Sequence, residues 1–108
     1  MSAIVMTGRM QQDARSCCTR EGLYQLIVTV ELPCTTGARP LAVRGVQQFG
    51  SGNAAAMACS RRAHHLRRGV RVTLGASAIA WHRGMARIES LEYVHTPDIH
   101  HPATPSDA

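Results

Sequence analysis

The sequence has little of several things that would point to a specific chemistry. It contains no lysine, only four aromatic residues, and no apolar run near the roughly 20 residues that span a bilayer. Its seven acidic residues form no paired-carboxylate arrangement, and it carries neither a nucleophile elbow nor a phosphate-binding loop. We therefore expect no contact with a membrane and no enzymatic activity.

The four cysteines and six histidines also lack the spacing of a metal site. There is no C-x-x-C and no H-x-x-x-H, and the adjacent Cys17 and Cys18 are poorly placed to bridge each other. Cys59 lies among alanine and methionine, as a small core residue would. His64 and His65 are consecutive, so they point to different sides of a helix. We expect free thiols, solvated histidines, no metal and no cofactor.

The charge balance is positive, at +5, and all twelve basic residues are arginine. A GC-rich genome would favour arginine codons, and a guanidinium also suits phosphate because its donors act in pairs. The positive sign itself favours a polyanionic partner or an acidic surface. Residues 1–10 contain no basic segment followed by a long apolar one, so the expected location is cytoplasmic.

Hydrophobic periodicity and turn residues predict five short strands and one helix. Residues 11–22 predict a loop, 34–40 a turn and 82–84 a hairpin tip. Asn53 is the expected helix N-cap, and Met57 and Ala58 are expected on the helix's apolar side. The predicted strands are residues 4–8, 23–32, 41–49, 70–81 and 85–94, and the predicted helix is residues 54–68.

The resulting order, β-β-β-α-β-β, is typical of the oligonucleotide/oligosaccharide-binding (OB) fold, a five-stranded, partly open Greek-key barrel. The expected fold class is therefore all-β with one helix. Residues 1–96 would form this single domain. Residues 97–108 contain several prolines and small polar residues and predict a disordered C-terminal tail.

Three segments of the chain resemble the bacterial single-stranded DNA-binding protein family. Residues 4–13 are similar to its opening strand, residues 66–72 to its Leu-basic-basic-Gly segment, and residues 80–84 to its aromatic hairpin. The family's other stacking tryptophans and its acidic C-terminal tip have no counterpart, which implies weaker binding and no tail-mediated recruitment. The short form is similar to mobile-element, phage or plasmid members, or to primosomal proteins of the same fold.

The resemblance implies that Trp81 and Phe49 stack on bases, although either could instead pack, Phe49 as a plug at the barrel end. Tyr24, expected opposite the inward face of the second strand, is a third stacking candidate. The cluster Arg61, Arg62, Arg67 and Arg68 is interpreted as a solvated helix face, and whether it contacts nucleic acid stays open. Five further arginines are expected along the groove: Arg9, Arg44, Arg71, Arg83 and Arg87.

The function expected from these features is sequence-tolerant binding of single-stranded DNA in replication, recombination or transfer of a genome. The sequence does not separate DNA from RNA. The exposed edge of the first strand is expected to pair with a second copy, giving a homo-oligomer, either a dimer or a tetramer. The alternative is an OB-fold adaptor of the primosomal type that holds a protein partner and touches nucleic acid little.

Overall fold

In the computed structural model, which describes residues 4–33, 40–83 and 85–96, short strands wrap into one sheet beside a single helix. The predicted turn at 34–40 falls mostly outside the described residues, and the predicted tail at 97–108 does so entirely. The elements are β1 (Ile4–Met10), β2 (Arg15–Cys18), β3 (Leu23–Leu32), β4 (Leu41–Ser51), α1 (Asn53–His65), β5 (Arg71–Ala76), β6 (Ala80–His82), β7 (Met85–Ile88) and β8 (Leu91–His95).

The five predicted strands and the helix occur in the predicted order, but two of these strands are each split in two, and β2 is added between the first and the second. Residues 77–79 separate β5 from β6, and Glu89 and Ser90 separate β7 from β8. The hydrogen-bonded order is β6-β7-β4-β3-β1-β5-β8, with β2 added beside β3. Strand β7 pairs in parallel with β4 near one end of the strand order, and β8 pairs antiparallel with β5 at the other end. Because β7 and β8 follow each other in the chain, this segment connects the two ends of the sheet and closes it into a barrel.

The barrel core comes from strict alternation on the central strands. Leu26, Val28 and Val30 on β3 are fully buried, and Val43 on β4 lies directly opposite Val30. This alternation is the period-two pattern that the sequence shows, because successive side chains on a strand point to opposite faces. The other main core side chains are Met10, Leu66, Val72, Leu74, Ile88, Leu91 and Val94.

Strand β2 corrects the expectation of a loop over residues 11–22. Its four residues pair antiparallel with β3, from Arg15 opposite Ile27 to Cys18 opposite Tyr24. The segment is too short and too polar to show an apolar alternation, so its sequence resembles a loop. The segment pairs with a free edge of the long strand β3. Only the tertiary structure shows that this edge is free, so the pairing is not visible in the sequence.

The helix begins and ends differently from the expectation. Gly52, with φ 93°, occupies the N-cap and no side chain caps the helix, so Asn53 is already the first helical residue. The helix ends at His65, three residues early. Ala55 and Cys59 are its buried residues, whereas Met57 is 61% exposed. The predicted core position of Cys59 is confirmed, and the predicted inward placement of Met57 and Ala58 is wrong.

Two glycines are required by close approach. A Cβ on Gly8 would meet the carbonyl oxygen of Glu31, so this glycine lets β1 cross tightly over β3 and continue to Met10. The ring of Tyr93 covers Gly75. The β5–β8 register shifts between Gly75 and Ala76, which marks a bulge at this glycine.

Candidate nucleic-acid interface

A band of arginines, three exposed and one half-buried, crosses the outer surface of the barrel. Arg9 on β1 lies opposite Arg71 on β5, and opposite Glu31 on β3 at its other side. Two residues further along β3, on the same face, Thr29 lies opposite Arg44 on β4, which in turn lies opposite Arg87 on β7. We call Arg9, Arg44, Arg71 and Arg87 the arginine band. Five neighbouring strands, about 4.8 Å apart, give it a width of about 19 Å.

Within the arginine band, Arg44 and Arg87 are register partners with like charges. Like charges directly opposite each other destabilise a sheet, unless an anion lies between them. Among the residues that the structure describes, neither guanidinium makes a hydrogen bond or an ion pair. Both line a cavity of about 290 Å³, whose wall also contains Glu89. This pair is therefore available to a phosphate.

The floor beside Arg44 and Arg87 is polar but uncharged. Gln25 on β3 donates from Nε2 to Oε1 of Gln48 on β4 at 3.2 Å, and Val46 lies between Gln48 and Arg44. Gln25 and Gln48 use part of their amide groups on each other, so the charged groups beside this floor are the guanidinium groups of Arg44 and Arg87 and the carboxylate of Glu89. The surface suits contact with a sugar-phosphate backbone of any sequence.

At the other end of the arginine band, Arg9 and Arg71 border a second cavity, of about 340 Å³. Arg9 donates from Nη1 to the carbonyl oxygen of Gly69 at 3.1 Å, which fixes its side chain against the segment that follows α1. Glu31 also lines this cavity and places one negative charge within the arginine band. No local pattern indicates Glu31 at this place, because only the β1–β3 register puts it there.

Trp81 is 63% exposed on β6, so it is available for stacking. Its register partner is the buried Ala86, whereas Arg87 pairs with Ala80. Directly paired residues share a face, so Trp81 and Arg87 project from opposite faces of the β6–β7 ribbon. Since β6 is the last strand in the sheet order, a nucleic-acid strand could contact both residues by crossing that free edge.

Arg83 lies at the tip of the β6–β7 hairpin, as predicted, with a positive φ of 52°. Its side chain is exposed and stands apart from the arginine band. Because the tip directly follows Trp81 and His82, Arg83 can supply a charge near a base stacked on Trp81.

The other two aromatic candidates do not lie on the outer face. Tyr24 shares the inward side of β3 with Leu26 and packs against the core, which corrects its expected placement opposite that face. The thiol of Cys18, its partner across β2 and β3, raises the pKa of Tyr24 through the negative charge it can carry. Phe49 also packs against the core, on the side of β4 facing the helix.

Searches for known relatives found no matching family model and no matching curated protein. Solved structures do match. The single-stranded DNA binding protein from Thermus aquaticus superimposes with a TM-score of 0.59 at 16% identity, over 95% of this chain and 43% of that chain. A deletion mutant of the same protein gives a TM-score of 0.58 at 14% identity, over 96% of this chain and 44% of that chain.

The similarity confirms the predicted OB fold, and the sequence resemblance is thus confirmed at the level of the fold. The chain spans less than half the length of the structures it matches. In the described part of the chain, no helix is long and apolar enough to cross a membrane. Within those same residues, no group of three or more potential ligands could hold a metal ion.

Proposed function

We propose that this protein binds single-stranded DNA without sequence preference, along the arginine band and over the β6–β7 hairpin. The observation that carries the proposal is the strand register, which aligns Arg71 with Arg9 and Arg44 with Arg87 across five strands. Arginines in such a row contact phosphates, which carry no sequence information. The two solved structures are both named as DNA-binding proteins, which supports a binding role rather than catalysis.

The preference for single strands comes from Trp81 in this proposal. Phosphate contacts alone do not distinguish a single strand from a duplex, whereas stacking on an exposed indole requires an unpaired base. The proposed cellular roles are replication, recombination or transfer of a genome, within the cytoplasm. The comparisons do not support the alternative role as a primosomal-type adaptor.

A fluorescence titration with oligothymidine tests the proposal directly. Binding should quench Trp81, the only tryptophan, and affinity should fall steeply with salt because bound phosphates release counterions. A duplex of equal length should bind much more weakly. Equal affinity for duplex, or an affinity insensitive to salt, would contradict the proposal. The same titration with oligouridine measures the preference between DNA and RNA.

The proposed assembly is a homo-oligomer, a dimer or tetramer, built through β1. Within the described residues, β1 pairs with β3 only at Arg9 and Met10, so Ile4–Thr7 have a free backbone edge on that side. Val5 on this stretch is 57% exposed. A free edge is a template for strand addition. Light scattering at micromolar concentration should give a multiple of 11.7 kDa, and a monomer mass with and without oligonucleotide would contradict the assembly.

A further inference from the structure

A third cavity lies on the opposite side of β4, where the barrel wall opens. The pairing of β4 with β7 ends at Gly45 and Ile88, after which the chain turns away into β8. The gap between the end of β4, the last turns of α1 and the end of β8 forms a cleft of about 590 Å³. We call this cavity the helix cleft. It is lined by Gln47, Phe49, Ala58, Arg61, Arg62, His65, Tyr93, Val94, His95 and Thr96.

The helix cleft is positively charged. Arg61, Arg62 and His65 enter it from α1 and His95 from β8, and none of the described lining residues is a carboxylate. Neither Arg61 nor Arg62 makes an ion pair or hydrogen bond within the described part of the chain. An anion entering the cleft would therefore meet two free guanidinium groups, which bind phosphate through paired donors.

The helix arginine cluster is divided by this geometry. Arg67 and Arg68 lie beyond the helix end and do not line the helix cleft. Arg67 instead contacts Asp13, with Nε 3.3 Å from Oδ2. Arg67 and Arg68 are exposed beyond the end of the helix, whereas Arg61 and Arg62 face a concave site.

Two of the four aromatic rings also border the helix cleft. Phe49 is half-buried at the end of β4, and Tyr93, 41% exposed, lies over Gly75 on the other wall. Rings beside free guanidinium groups are the combination that binds a nucleotide, since the base stacks and the phosphate pairs.

We propose that the helix cleft binds one nucleotide of a strand whose remaining nucleotides follow the arginine band. The base contacts Phe49 and Tyr93, and the phosphate pairs with Arg61 and Arg62. The free edge of β4 beyond Gly45 connects the two surfaces, because Val46 and Gln48 face the arginine band side while Gln47 and Phe49 face the cleft. This proposal rests on the proposed function and extends its footprint.

Oligothymidines of two lengths test the proposal in the full chain. One OB domain covers roughly 4–16 nucleotides, so lengths of about 6 and about 20 bracket that range. R61Q/R62Q should weaken binding of the long strand about 10-fold and lower its salt slope by about 0.7 units, because one phosphate contact is lost. Binding of the short strand, held by the arginine band, should not change. R67Q/R68Q is the matched control, with the same charge change outside the cleft.

Photo-crosslinking locates the nucleotide independently of affinity. With iodouracil placed at each position of the long strand in turn, positions near one end should crosslink to Phe49 or Tyr93, and R61Q/R62Q should abolish this. Equal effects of R61Q/R62Q and R67Q/R68Q, or crosslinks to Trp81 alone, would overturn the helix cleft as a site while leaving the proposed function intact. If the wild type binds neither length, the proposed function fails, and the cleft proposal fails with it.

Discussion

The arginine band and the helix cleft both present arginines to the surface, but their surroundings differ. In the band, register aligns Arg44 with Arg87 on an open strand surface, and Glu31 lies among the arginines. In the cleft, Arg61 and Arg62 stand beside aromatic rings in a concavity whose described lining contains no carboxylate. An open row of charge suits a phosphate backbone, whereas an enclosed charge beside rings suits one flat, anionic group. Arginines of equal charge can therefore support two kinds of contact, depending on what surrounds them.

The largest expected effect is loss of the arginine band. R9Q/R44Q/R71Q/R87Q should weaken single-strand binding about 100-fold, since each exposed phosphate contact contributes roughly 0.7 kcal/mol. The slope of log affinity against log salt should fall by about 3 units, at about 0.7 for each contact. Titrations across a salt series measure both quantities.

The control for the band variant is R15Q/R20Q/R67Q/R68Q, which removes the same charge from exposed positions outside both the band and the cleft. A smaller loss in the control separates the band from a general effect of net charge. If the two variants lose affinity equally, the alignment of the four band arginines has no special role.

Replacing Trp81 should have the next largest effect. Trp81→Ala should weaken binding by about 1–3 kcal/mol, the usual contribution of one stacked base, while Trp81→Phe should retain much of it. Because the indole is 63% exposed, the thermal midpoint should change little. A titration with labelled oligothymidine and a melting curve together test this. An unfolded Trp81→Ala variant would show instead that the indole holds the hairpin in place.

Gly8 connects the arginine band to the stability of the barrel. Gly8→Ala would push a methyl group against the carbonyl of Glu31 and the side chains of Val30 and Leu32. Overpacking of this kind costs about 1–3 kcal/mol. The variant should also shift Arg9 away from Glu31 and weaken binding. Urea unfolding measures the first effect, and an unchanged midpoint would mean that β1 can move away from β3 freely.

The smallest expected effect concerns Asp13, which holds the segment after α1 against the β1–β2 connection. Its Oδ1 accepts the Arg68 backbone N–H at 2.8 Å, and this bond, with the charge of Arg67, lowers the pKa of Asp13 below 3.8. A lowered pKa means that the carboxylate stabilises the fold above pH 3.8 and that this contribution is lost as pH falls below it.

Asp13→Asn should therefore lower the thermal midpoint slightly at neutral pH, and the gap to the wild type should close in acid. Melting curves between neutral pH and about pH 2 give this comparison. A gap that persists unchanged in acid would rule out the ionic contribution. Binding to the arginine band and to the helix cleft should stay the same, because Asp13 lines neither surface.

The sequence by itself determined the order of the predicted strands and helix, the alternating core of β3 and the burial of Cys59. These properties are local, because alternating apolar residues and helix- or strand-breaking residues can be recognised within short stretches of the sequence. The four band arginines were also predictable as outward residues on strands, although their alignment into one row was not.

Only the tertiary structure decided which distant residues meet. It paired the polar segment Arg15–Cys18 with β3, turned Tyr24 and Phe49 towards the core, and placed Glu31 beside Arg9. It also divided the helix arginines, since Arg61 and Arg62 face a cleft that exists only where β4, α1 and β8 converge. The physical reason is that register and closure depend on partner strands far away in the chain, and no local pattern specifies which edge a strand will find.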